Sequence, residues 1–159
     1  MNSINIGAQV LRAASRARFG ILTMALTYAL GVIIGMAMVH AGNEFALAHR
    51  DNLVARARAN DPSLRALREG NRWSAALWDF GRNLLLGAVP NTIGGLSLVV
   101  PYPVAAYRGW VGGIVSVNNG HVSRLADPME AAYYLLALIL QLIPYSLAGG
   151  AGVNLGADD

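Results

Sequence analysis

No cysteine occurs in the chain, which rules out disulfides, thiolate nucleophiles and thiolate metal sites. Lysine is missing as well, so all 12 basic residues are arginine, whose planar fork suits phosphate headgroups. Charge of either sign is thin: 13% of the residues are charged against 55% apolar, too little polar surface for a water-soluble domain. The net charge of +3 fits proximity to anionic lipid, and no basic run is long enough to suggest nucleic acid. His40, His49 and His121 lie outside the apolar interiors and at no ligand spacing, so no metal or cofactor is expected. Serine-hydrolase, zinc-protease and phosphate-loop motifs are likewise absent, and no enzymatic activity is expected.

What the chain has in quantity is uninterrupted apolar sequence. Phe19 to Val39 carries no charge and would make a helix of roughly 30 Å, the thickness of a hydrocarbon core. Arg12, Arg16 and Arg18 precede it as in a signal sequence, but signal cores run only about 7 to 15 residues, so a retained anchor is expected. Leu84 to Val117 is interrupted only by Arg108 and would reach about 50 Å as one helix, so it has to break. Gly87, Pro90, Gly94 and Gly95 are the expected turn, with Pro101-Tyr102-Pro103 as a second break. Ala131 to Ala157 is again uncharged and long enough to cross. The predicted fold is an all-α, polytopic integral membrane bundle, a single domain with about four crossings, broken helices and one amphipathic extramembrane segment.

Within that domain, residues 1–18 read as an interfacial lead-in, 19–39 as the first transmembrane helix, 41–72 as a polar helical segment and 73–157 as a broken-helix membrane core. In the polar segment Leu47, Leu53, Val54 and Ala57 recur at helical spacing. Asp61-Pro62 then opens a short helix that Gly70 ends. Trp73 and Trp78 mark re-entry into the membrane interface, followed by Asp79 and Arg82, which can pair three residues apart. Arg108 stands between Tyr107 and Trp110, where snorkelling to headgroups is the expected behaviour. Asn118-Asn119-Gly120 signals a tight turn. Asp127-Pro128-Met129-Glu130 combines an N-cap, a proline at the first position and a glutamate that can reach back to the cap.

Three glycine pairs at GxxxG spacing, Gly31 with Gly35, Gly109 with Gly113 and Gly152 with Gly156, are the candidate helix-packing positions. Asp79, Arg82, Asn83, Arg108 and Glu130 are the candidate functional polar residues. Phe80 and Asn83, Gly87, the segment Tyr107 to Gly113, Glu130 and the small-residue run Ala148 to Gly156 together resemble the membrane domain of the stage II sporulation protein M family. Arg108-Gly109 stands where that family usually has Asn-Gly. The resemblance implies a non-enzymatic scaffold or accessory subunit of a membrane complex in the bacterial inner membrane. Its partners would be the lipid bilayer and other integral membrane proteins or further copies of itself. The alternative is a small transporter or channel component, because broken helices with polar groups often line ion or substrate sites. The three leading arginines and the family resemblance favour a cytoplasmic N-terminus, whereas a literal count of the six arginines from Arg50 to Arg72 would put that segment inside instead.

Overall fold

The structure is a computed structural model that describes residues 12–83, 85 and 99–157; side-chain surroundings are described to 82, at 85, and from 99 to 153. Among the described residues there is no strand, only one isolated antiparallel bridge between Val117 and Ser123. The helices are α1 (Arg18–His40), α2 (Glu44–Asn60), α3 (Pro62–Arg68), α4 (Arg72–Asn83), α5 (Pro101–Ile114) and α6 (Pro128–Ala157), with a 3-10 turn at Arg124–Ala126.

Helices α1 and α6, with 23 and 30 residues, extend about 35 and 45 Å and are long and apolar enough to cross a bilayer. A core helix of a soluble protein would be covered by its neighbours, yet only 28% of the apolar window of α1 and 11% of that of α6 is buried. Leu22, Leu26, Leu30 and Ile33 on α1 and Leu136, Ile139, Leu140 and Ile143 on α6 point outward, uncovered. These are the faces that lipid would wet.

Helix α5 lies parallel to α1 and antiparallel to α6. Thr23 meets Tyr102 near the start of α1 and α5, whereas His40 meets Ser123 past their ends. Tyr28 reaches Gln141 of α6, and Gly20 abuts Gly150. The segment 115–127 therefore sits at the C-terminal end of α1, where α2 also begins. Helix α6 runs unbroken through Pro144 and through Gly149-Gly150. Proline removes one hydrogen bond there, and the helix continues past it.

The local stops and starts follow their residue chemistry. Gly42 and Gly70 adopt φ of +73° and +78°, and each closes the preceding helix, with Asn43 and Asn71 donating back to Met38 and Ala66. Asn43, Asp61 and Asn71 cap α2, α3 and α4 through their side-chain oxygens. Asp127 caps α6 by accepting from Met129 and Glu130 N–H, each at 2.9 Å. Asn118 accepts from the N–H of Gly120 and Val122, forming the tight turn expected from Asn118-Asn119-Gly120. Val99 and Val100 form a bend and turn ahead of α5, which opens on Pro101. The expected turn at Pro90 to Gly95 and the lead-in residues 1–11 lie outside the described residues.

Candidate functional site

Helices α1 and α5 approach each other closely. A Cβ added at Gly31 would run into the Ala106 carbonyl, and one at Gly35 into the carbonyl of Trp110. Reciprocally, a Cβ at Gly109 would strike the Tyr28 carbonyl and one at Gly113 the Val32 carbonyl, with Met36 N only 2.8 Å away. The first two predicted glycine pairs therefore pack on each other, backbone against backbone, within one chain. That geometry removes both from the surplus of faces available to a partner. Gly152 is buried on α6, and the surroundings of Gly156 are outside the described residues. A third close approach, Gly20 against Gly150, joins α1 to α6.

Beside this seam lies a layer of polar side chains at mid-length of the long helices. Tyr28, almost fully buried near the middle of α1, donates to Gln141 Oε1 at 3.2 Å, and Tyr134 donates to the Gly112 carbonyl at 3.0 Å. Arg108 is on α5 at this same level, next to the Gly109 that abuts Tyr28. Its guanidinium lies over the Tyr145 ring, 5.6 Å from the centroid, and the residue is exposed. Arg108 thus sits opposite the middle of α1. On the other side of the seam, Thr27, Leu30, Gly31, Ile34, Ala106, Tyr107 and Trp110 line an open, almost wholly apolar groove of about 450 Å³.

At the C-terminal end of α1, α2 is held against the 115–127 segment by a network that periodicity did not reveal. Arg50 is 2% exposed, in the middle of the face that also carries Leu47 and Leu53. It donates to Asp51 Oδ1 at 2.8 Å and to Asn119 Oδ1 at 2.9 Å, while its Nε finds no acceptor. His121 Nε2 lies 3.0 Å from the other Asp51 oxygen, and the hydrogen bonds from Arg50 and His121 hold the Asp51 carboxyl below the usual carboxylate range. Phe45, His49, Tyr107 and Trp110 form an aromatic cluster between α2 and α5.

His40 and Ser123 are brought together across 83 residues, with Nε2 3.0 Å from Oγ and Nδ1 2.8 Å from the Met36 carbonyl. A base beside a hydroxyl is the start of a nucleophilic dyad. Here, however, the same Oγ accepts from Leu125 N–H at 3.2 Å as the cap of the 3-10 turn, so its geometry is that of a structural tie.

Asp79 and Arg82 pair as expected, at 3.1 Å, but Arg82 also forms a shorter ion pair with Asp61 at the start of α3. Burial pushes the Asp61 carboxyl up; hydrogen bonds from Ser63 and Arg82 outweigh this and hold it below the usual carboxylate range. Hydrogen bonding to Asp61 raises the Arg82 guanidinium correspondingly. Folding α4 onto α3 leaves Trp73, Leu77, Trp78 and Phe80 exposed, with Trp73 at 83%. The side chain of Asn83 is outside the described residues. Glu130 caps nothing through its carboxylate in this arrangement: Oε2 turns to Arg124 at 3.5 Å, so the reciprocal half of the expected capping box is replaced by a loop contact.

Comparison with family models, with curated proteins and with solved structures returned no match to the chain.

Proposed function

We propose that the chain is a non-enzymatic, multi-pass membrane subunit that acts as a scaffold or accessory component of a larger membrane complex. The observation that carries this reading is the glycine seam between α1 and α5. Backbone-to-backbone packing closes the interior where a transport path would run, while the outward faces of α1 and α6 remain long, apolar and uncovered. Rigid packing inside and an open apolar perimeter suit a protein whose work is to be packed against. The similarity of Phe80 to Gly156 to the stage II sporulation protein M family leads to the same reading, since its sporulation member anchors wall-degrading enzymes.

The parallel run of α1 and α5 supports four crossings. Helix α2 begins where α1 ends, yet α5 begins beside the N-terminal part of α1. The sequence joining α4 to α5 is apolar, which supports a further crossing between them. With the N-terminus inside, α2, α3 and the 115–127 segment face outward across the inner membrane. A cysteine introduced at Ser63 would then be labelled only from the periplasmic side; labelling from the cytoplasm overturns this orientation.

Extraction of the native membrane into nanodiscs tests the function. A discrete hetero-complex or homo-oligomer is the expected species, and a lone monomer refutes the reading. The mid-depth layer of Tyr28, Gln141, Tyr145 and Arg108 favours one alternative, a small transporter component. A solute flux in proteoliposomes that disappears with Arg108→Gln would support that alternative.

A further inference from the structure

We propose that Arg108 is the docking point for a transmembrane helix of a different protein, one carrying a single Asp or Glu near its middle. This deepens the subunit reading above and rests on it. The first ground is depth. Gly109, the next residue, abuts Tyr28, and about 15 Å of helix separates Tyr28 from either end of α1. The guanidinium lies over the ring of Tyr145, a residue itself about 18 Å of helix short of Ala157.

The second ground is the lack of an internal counter-charge. An aromatic face offsets only part of the cost of holding a guanidinium out of water. Tyr28 and Gln141, the polar pair at this level, bond to each other and bring no negative charge. None of the ion pairs among the described residues involves Arg108, and every Asp and Glu in the chain lies outside the three apolar blocks.

The third ground selects the partner. A second copy of this chain brings no carboxylate to this depth and would set arginine near arginine. Charge complementarity therefore calls for a foreign helix with a mid-membrane acid, which an exposed arginine can meet through two parallel N–H···O bonds.

The test uses the full chain in phosphatidylcholine vesicles, labelled with one acceptor dye through Ser15→Cys, which the absence of native cysteine makes specific. Donor-labelled synthetic helices with a Leu/Ala core carry a central Glu, a central Gln, or a Glu one turn from the end. The central-Glu helix is expected to associate at least about tenfold more tightly than the central-Gln helix, by energy transfer at pH 8. That preference should vanish in Arg108→Gln and persist in Arg108→Lys. Equal association of the Glu and Gln helices overturns the proposal, as does a preference that survives Arg108→Gln. Tightest binding of the end-placed Glu overturns it too, because it places the guanidinium at headgroup depth. Nanodisc extraction of the Arg108→Gln protein separates the two levels: a native complex that persists unchanged removes Arg108 and leaves the subunit reading intact, whereas a monomer from the wild type removes both.

Discussion

Adding one methyl group at a helical glycine should change stability in opposite directions according to position, and the size of each effect follows from what the methyl meets. At Gly113 the new Cβ would face the Val32 carbonyl, with Met36 N at 2.8 Å and the Gly35 Cα at 2.9 Å, all of them backbone of α1. Ordinary contact begins near 3.4 Å, so the helices would have to part by roughly 1 Å, enough to forfeit a quarter to a half of each dispersion contact in the seam. Overpacking of this kind costs about 1–3 kcal/mol, and backbone cannot rotate away as a side chain can. The gain in helix propensity for Gly→Ala is at most about 1 kcal/mol. A net loss of about 1–2 kcal/mol is therefore expected for Gly113→Ala and for Gly109→Ala. At Gly112 the obstacle is the Leu138 Cδ2 at 2.8 Å, a flexible tip, and the net change should be close to zero. At Gly81 on α4 the space is open, so Gly81→Ala should stabilise by up to about 1 kcal/mol. Reversible unfolding in mixed micelles titrated with dodecyl sulfate, followed by helicity, gives the order. A Gly109→Ala or Gly113→Ala protein as stable as Gly81→Ala would show that α1 and α5 are not in backbone contact.

Three further outcomes are expected. Tyr28→Phe removes the donor to Gln141 and should cost about 0.5–1.5 kcal/mol in the same assay; no change would mean that Gln141 has another donor at this depth. Asn119→Ala strips an acceptor from the buried Arg50 and should cost about 1–3 kcal/mol, seen as faster amide exchange in α2; unchanged exchange would refute the tie. Because the Asp61 carboxyl is held low in the folded state, its contribution is complete at neutral pH and is lost as the pH falls through its folded value, below about 4. The fluorescence of Trp73 and Trp78 should report opening of the α3–α4 pair on acidification, and Asp61→Asn should show the opened signal at neutral pH, whereas a pH-independent signal would refute the link.

The parts of this fold that were legible in the sequence are those set within a turn or two. Asp61-Pro62, Gly70, Asn118-Asn119-Gly120 and Asp127-Pro128 each act on the backbone beside them, so their roles show in their spacing. The GxxxG pairs were legible as faces, but nothing local says that Gly31 and Gly35 meet Gly109 and Gly113, more than 70 residues away. Asp79 was visible as a neighbour of Arg82 because it lies one turn back, whereas Asp61, the shorter contact, lies 21 residues earlier. Arg50 reads as a solvated charge in an amphipathic pattern, and only the arrival of Asn119 from the 115–127 segment buries it. Likewise His40 and Ser123 carry no mutual signal along the chain. Arg108 was placed by its aromatic neighbours at the interface; its depth depends on the register of α5 against α1, which the glycine contacts determine.

The parallel seam also has a consequence in time. During synthesis Gly31 and Gly35 leave the ribosome well before Gly109 and Gly113, a delay of about 4 to 15 s at 5–20 residues per second. Over that interval the nascent α1 displays a bare GxxxG stripe to the lateral gate of the insertion machinery and to the lipid beyond it. The stripe is competent to dimerise with the same stripe on a neighbouring nascent chain. The rate of initiation should therefore affect the yield of correctly assembled protein. Slower translation lengthens the exposed interval and favours the mispaired stripe; sparser initiation, which keeps nascent copies apart, favours the native seam.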